Sequence, residues 1–280
     1  MSYSAEISRD HPSCVLFIVD QSGSMDERMT TGKSKASFVA DVLNKTIYTL
    51  ATSCRRGIND FRNYFDVGVI VYGGNGVGPG LRGALAGRVL HPIEDIDKSP
   101  LRVEDRTRMD DDGAGGVLER RIKFPVWFDP TSSGGTPMCA GLTQAAHELV
   151  AWCDAHPHCY PPTVLHVTDG ASTDGDPDNV ASAIRKISTN DGECLLFNIH
   201  VSTEQGETIR FPSSEAGLND TYARALFNMS SIFPPDVAKL AADKGYNLAE
   251  NARGFMFNAD PRDIANFFDI GTRPKLTSDR

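Results

Sequence analysis

Short apolar runs alternate along the chain with stretches whose apolar residues recur every three or four positions. The runs are Cys14–Val19 (CVLFIV), Val67–Tyr72 (VGVIVY), Thr163–Thr168 (TVLHVT), Cys194–Val201 (CLLFNIHV) and Gly254–Asn258 (GFMFN). Because they are apolar at consecutive positions rather than at every second one, they predict strands covered on both faces, as in a parallel sheet. Between them, Ser34–Cys54 sets Phe38, Val39, Val42, Leu43, Ile47 and Leu50 at helical spacing. Pro137–Cys153 does the same with Met138, Leu142, Ala145, Leu149 and Cys153, and Pro177–Ile187 with Val180, Ile184 and Ile187. A proline opens both of these helices, where a first turn tolerates it. Asp260-Pro261-Arg262-Asp263 supplies a helix start for Ile264–Ile270.

Strands alternating with helices predict an α/β fold, a doubly wound and mainly parallel central sheet with helices on both faces. Ligands of such sheets gather at the carboxyl ends of the strands. Asp20 follows the first run at once, and Asp169 follows the Thr163–Thr168 run. Two segments break the alternation, 73–120 and 203–236. We read them as insertions in a single domain spanning 1–280, with its core at about 13–270, because no proline- or serine-rich linker separates independent cores. In the first, Arg121–Phe128 is expected to return as a strand of a small extra sheet. In the second, Leu218, Tyr222, Leu226 and Met229 mark a helix.

Charge changes the picture by exclusion. Twenty-eight basic against 37 acidic residues leave a formal charge of −9, which argues against a nucleic-acid or anionic-membrane surface, since both select a basic footprint. No apolar run reaches membrane-spanning length, and Met1–Pro12 is polar with no signal-peptide core, so a cytoplasmic location is expected. The six cysteines are then expected as reduced thiols.

The chemistry concentrates at the strand ends. In Asp20-Gln21-Ser22-Gly23-Ser24, a turn can point the carboxylate and both hydroxyls at one spot, with Gly23 easing the backbone between them. Gly134-Gly135-Thr136 offers a third hydroxyl from a loop just before a helix, and Asp169 a second carboxylate. Hydroxyl and carboxylate oxygens are hard ligands that suit Mg²⁺, with Mn²⁺ or Ca²⁺ as alternatives, rather than zinc. Neutral hydroxyls leave such a cation short of negative charge, so its open position favours an Asp or Glu from a partner.

This set, Asp20, Ser22 and Ser24 (D-x-S-x-S) with Thr136 and Asp169 in Val167-Thr168-Asp169-Gly170, resembles the metal-ion-dependent adhesion site of the von Willebrand factor A family, and the likeness covers most of 13–270 in element order. The resemblance implies a Mg²⁺-dependent protein–protein interaction module rather than an enzyme. In that family the serine pair and often the threonine ligate directly, while the aspartates can act through water. The tail, Gly254–Asp260 followed by Phe267–Arg273, with Ser230-Ser231 before Pro234-Pro235, is similar to intracellular bacterial members from stress-response or defence gene clusters. That implies a kinase, a metal-dependent phosphatase or an AAA-type ATPase as partner. The alternatives are an adaptor subunit for such an ATPase and a Mg²⁺-dependent hydrolase, since the ion can activate water.

Other motifs carry less. Gly32-Lys33-Ser34 mimics the end of a phosphate-binding loop, but Glu27 stands where that pattern needs glycine; a helix start with a solvated lysine is expected. Asp20-Gln21-Ser22 lacks the second carboxylate that phosphatases with an aspartate nucleophile use, and no base is tied to it. Cys153-Asp154-Ala155-His156-Pro157-His158-Cys159 is too compressed for one tetrahedral zinc. Asp174, Asp176 and Asp178 lack the glycine and distal glutamate of a calcium loop and are expected to cap the helix near Pro177. Asp110–Asp112 reads as a solvated loop tip, and Trp127 and Trp152 as packing residues.

Overall fold

A computed structural model describes residues 3–57, 60–111, 117–203, 207–219 and 221–272. In chain order these form β1 (Ser13–Gln21), α1 (Lys35–Ser53), β2 (Phe65–Gly73), β3 (Gly76–Pro79), β4 (Leu90–Pro92), α2 (Ile93–Lys98), β5 (Arg102–Asp111), β6 (Val117–Val126) and α3 (Met138–Ala155). Then follow β7 (Thr163–Thr168), α4 (Asp178–Ile184), β8 (Ser188–Thr189), β9 (Gly192–Glu193), β10 (Leu195–Val201), β11 (Ile209–Arg210), α5 (Thr221–Met229), α6 (Pro235–Asp243), β12 (Phe255–Ala259) and α7 (Pro261–Gly271).

The central sheet has the order β11-β12-β10-β7-β1-β2-β3, with β4 also paired to β2. Its middle, β12-β10-β7-β1-β2, is parallel throughout, and these are the apolar runs of the sequence. Antiparallel strands close both edges, β11 on β12 and β3 and β4 on β2. Alternate residues of β1 divide between two cores. Val15, Phe17 and Val19 face α1 and α7 through Leu43, Ile47, Ile264 and Phe268. Cys14, Leu16 and Ile18 face α3, α4 and α5 through Leu142, Leu149, Ile184 and Leu226. Helices thus cover both faces, so the parallel strands are mainly apolar on successive residues.

Local chemistry sets the helix starts. Ser34 caps α1 by accepting from Ser37 N, and Asp260 caps α7 by accepting from Arg262 N and Asp263 N, with Pro261 in the first turn. Gly32-Lys33-Ser34 is accordingly a helix start, its lysine paired with Asp41. At α3 and α4 the prolines stand one residue before the helix, at the cap itself.

The two irregular segments are more closely tied to the sheet than their sequence suggests. Segment 73–120 contributes β3 and β4 to the central sheet, and the extra sheet is the β5–β6 ribbon. The return strand ends at Val126 rather than Phe128 because Asn44 of α1 seizes the next residues. Its Oδ1 accepts from Trp127 N (2.8 Å) and Phe128 N (3.0 Å), and its Nδ2 donates to Phe128 O (2.8 Å). Trp127 is buried and donates through Nε1 to Ile96 O. Segment 203–236 supplies β11 and α5; the helix begins at Thr221, so Leu218 precedes it. Asp112 and the side chains of Asp110 and Asp111 lie outside the described residues. All six cysteines are free thiols. Among the described residues no helix is long and apolar enough to cross a membrane.

Candidate metal site

The chain crosses from β1 to β2 on one side and later places β7 on the other side of β1, so the strand order reverses between β1 and β7. Such a reversal opens a crevice at the carboxyl ends of the strands. Asp20, near the end of β1, and Asp169, just after β7, flank it.

Asp20 is fully buried. Its Oδ1 accepts from Ser22 N (2.7 Å) and its Oδ2 from Thr168 Oγ1 (2.7 Å). Burial pushes its carboxyl up to about 6, against the lowering effect of those hydrogen bonds and with help from the negative charge of Asp169. Ser22 stands just before a 3-10 turn, Gly23–Asp26, that brings Ser24 Oγ within 3.2 Å of Ser22 Oγ. Ser24 Oγ donates to Asp169 Oδ1 (2.7 Å). The Asp169 side chain is 0% exposed, and its second oxygen accepts from Lys35 Nζ (2.9 Å). All four carboxylate oxygens therefore hold a protein donor.

Thr136 arrives on a loop stitched to both neighbouring strands. Ser133 N donates to Gln21 O (2.8 Å), Gly74 N to Ser133 O (2.6 Å) and Gly23 N to Gly134 O (2.9 Å). Gly134 has φ +67°, and a Cβ there would stand 2.4 Å from Gly74 Cα, so the approach needs glycine. Thr136 N donates to Thr173 Oγ1 (3.0 Å), and Thr173 N returns a bond to Thr136 O (2.9 Å). A Cβ built on Gly170 would lie 3.9 Å from Thr136 Oγ1 and 4.0 Å from Ser24 Oγ, so the two hydroxyls border one space. The five residues singled out in the sequence are thus neighbours around one crevice.

Several residues here escaped the sequence reading. Lys35, the first residue of α1, pairs with Asp169 and with Glu27 Oε2 (2.6 Å). Burial works to lower its ammonium pKa, but the hydrogen bonds and charges of Glu27 and Asp169 raise it overall; Glu27 is lowered in return, first by its hydrogen bond to Lys35. The available signal was a lysine in a helical first turn, where the dipole disfavours it. Asp174 corrects an expectation: its oxygens accept from Cys139 N (3.0 Å) and Ala140 N (2.9 Å), capping α3, whose own cap residue Pro137 has no side-chain acceptor. Asp176, by contrast, accepts from Asp178 N at the start of α4.

A cavity of about 520 Å³ adjoins the crevice, lined by Ser24, Glu27, Lys35 and Asp169 together with Tyr222 and Phe257. Tyr222 Oη donates to Thr168 Oγ1 (3.2 Å), linking α5 to the hydroxyl that holds Asp20. Beneath, His166 is fully buried, bonded through Nε2 to Tyr72 Oη (2.7 Å) and through Nδ1 to Asn198 Oδ1 (2.8 Å). Burial drives its imidazole down to about 4 despite the Asn198 bond. The Asn198 oxygen accepts, so Nδ1 carries the proton and Tyr72 donates to Nε2.

Among the described residues no three of His, Cys, Asp and Glu gather as a metal ion needs. Cys153 and Cys159 are buried, while His156 stacks on Trp152 and His158 bonds to Asn190. The crevice differs from such a cluster because hydroxyls supply three of its five side chains. That donor set fits a hard cation such as Mg²⁺.

No protein-family model matches the sequence, and no curated protein matches it. Among solved structures the chain is similar to the PilB minor pilin from Streptococcus sanguinis, at 11% identity and a TM-score of 0.44, over 92% of this chain and 60% of the pilin. The chain therefore spans less than two thirds of that protein's length, and the likeness is too loose to bear on fold or function.

Proposed function

We propose that the chain is a von Willebrand factor A-type domain whose strand-end loops hold one Mg²⁺ and present it to an acidic side chain of a protein partner. One observation carries the reading. Both carboxylates at the crevice are already bonded through all four oxygens, while the hydroxyls beside them gather, Ser22 Oγ 3.2 Å from Ser24 Oγ and Ser24 and Thr136 bordering the space at Gly170. Those hydroxyls would hold the ion directly, with Asp20 and Asp169 fixing their orientation and balancing charge. Neutral ligands leave the ion electron-poor, which supplies the attraction for a partner's Asp or Glu. The cavity beside Ser24 gives room for the residues that flank that carboxylate. Candidate partners are a kinase, a metal-dependent phosphatase or an AAA-type ATPase, as implied for the bacterial members that the chain resembles.

The test is calorimetric titration of Mg²⁺ and Mn²⁺ into chelated protein, with Asp20→Asn alongside, each with and without a short peptide carrying one glutamate. Binding at one site, tightened by the peptide and absent from the variant, is the expected result. A folded wild-type protein that binds neither ion, with or without the peptide, would sink the proposal.

A further inference from the structure

Lys35 is a costly residue in its position. It opens a 19-residue helix, where the dipole disfavours a positive charge, and its side chain is 5% exposed, a state lysine rarely adopts unless paired. Both of its partners are carboxylates, and one of them, Asp169, borders the crevice. The ammonium holds the one oxygen of Asp169 that Ser24 does not use. Residues that break local preference in this way gather at functional places.

We infer that Lys35 sets the affinity of the site, as a built-in counter-cation that keeps Mg²⁺ binding weak until a partner's carboxylate arrives. The inference rests on the metal reading above. The Glu27 side chain is 57% exposed and largely solvated, so the buried charges are those of Asp20, Asp169 and Lys35. A divalent ion would leave that set with one surplus positive charge, which a single partner carboxylate cancels. Without Lys35 the two aspartates would balance the ion unaided, and a partner carboxylate would introduce an unmatched negative charge. The lysine thereby couples metal retention to partner capture, while the ligand set stays the same.

The experiment measures Mg²⁺ and Mn²⁺ affinity by calorimetry for wild type, Lys35→Gln and Lys35→Arg, with and without the one-glutamate peptide, after circular dichroism has checked each fold. Removing a fixed charge beside the ion is expected to tighten bare Mg²⁺ binding by about tenfold or more in Lys35→Gln, while Lys35→Arg stays within about threefold of wild type. The peptide should tighten Mg²⁺ binding in wild type and do so less in Lys35→Gln. Should Lys35→Gln not fold, the double variant Lys35→Gln/Glu27→Gln removes the partner left behind, and it too should bind bare Mg²⁺ more tightly than wild type. A wild type that binds Mg²⁺ beside a folded variant that binds it equally or less tightly overturns the inference and leaves the metal reading standing. Failure of both wild type and variant to bind either ion, with and without peptide, overturns the metal reading and this inference together.

Discussion

Replacing Asp20 with asparagine should stabilise the metal-free protein at neutral pH while removing its response to Mg²⁺. Burial raises the Asp20 carboxyl from 3.8 to about 6 in the folded chain. A raised folded-state pKa means that the folded protein holds this proton more tightly than the unfolded one. The contribution is fully favourable below the unfolded value of about 3.9 and is lost as pH rises through about 6. Above that, the folded state carries the full cost of a buried charge, a difference of about two pH units or about 3 kcal/mol. Asparagine can keep both hydrogen bonds. Its carbonyl accepts from Ser22 N, and its amide donates to Thr168 Oγ1, whose own proton can turn to Gly170 O, 3.2 Å away. A buried amide retains part of the polar-burial cost, so we expect a gain of about 1–2 kcal/mol, or roughly 2–3 °C in Tm. Scanning calorimetry of both proteins in chelator, from pH 4 to 8, reads it directly. The gap should be widest above pH 6.5 and should close as pH falls toward 4. Saturating Mg²⁺ should raise the wild-type Tm by mass action and leave the variant unmoved. If Asp20→Asn is less stable than wild type at pH 8 in chelator, or if the gap does not change with pH, Asp20 is a net structural anchor and the reasoning fails.

Gly134→Ala should cost at least about 1–2 kcal/mol for its left-handed backbone and, because its Cβ meets the Gly74 backbone, should displace the Thr136 loop and weaken Mg²⁺ binding. Gly32→Ala, equally left-handed but with nothing within 4 Å, should lose stability alone; thermal melts beside metal titrations separate the two. Asn44→Leu leaves Trp127 N, Phe128 N and Phe128 O without their buried partner, so chemical denaturation should show a loss of about 3–5 kcal/mol. His166, held near 4 by burial, is protonated in the unfolded chain first, so its contribution is complete above about pH 6.5 and falls as pH drops toward 4, by about 3 kcal/mol. Denaturation of His166→Gln across that window should show a shallower acid loss than wild type.

The parallel centre of the sheet was legible because its strands are largely buried on both faces and so write mainly apolar runs, with His166 and Asn198 as buried polar members that bond to each other. The edge strands were not. Gly76–Pro79 and Ile209–Arg210 are short, and their ladders are antiparallel additions held by backbone bonds to β2 and β12. Neither segment has a side-chain pattern that reports such bonds. The candidate ligands were legible because a turn of alternating hydroxyls after a buried strand is an unusual use of the backbone. Lys35 was not, because its role depends on Asp169, 134 residues away, and only the fold brings the two within 2.9 Å. Asp174 was read for the wrong helix for a similar reason. Pro137 leaves α3 uncapped, and the nearest carboxylate in space comes from the loop after β7 rather than from the helix's own flank.

The position of the crevice follows from topology, and topology explains why these residue types collect there. From β1 the chain leaves toward the face covered by α1, and from β7 toward the face covered by α4. The two loops part instead of packing on each other, and a space opens above adjacent strand ends paired up to Val19 and Val167. An apolar lining would expose the unpaired backbone of those ends to an empty gap. A carboxylate accepting from Ser22 N satisfies that backbone and carries charge into the same space. One carboxylate can be held there by hydrogen bonds alone, as Asp20 is, at the cost of a raised pKa. A second in the same crevice needs a positive charge, and Lys35 supplies it from the first turn of α1, between β1 and β2. The lysine and the hydroxyl turn are therefore parts of one electrostatic solution, which is why removing either should be felt first in cation affinity and only then in stability.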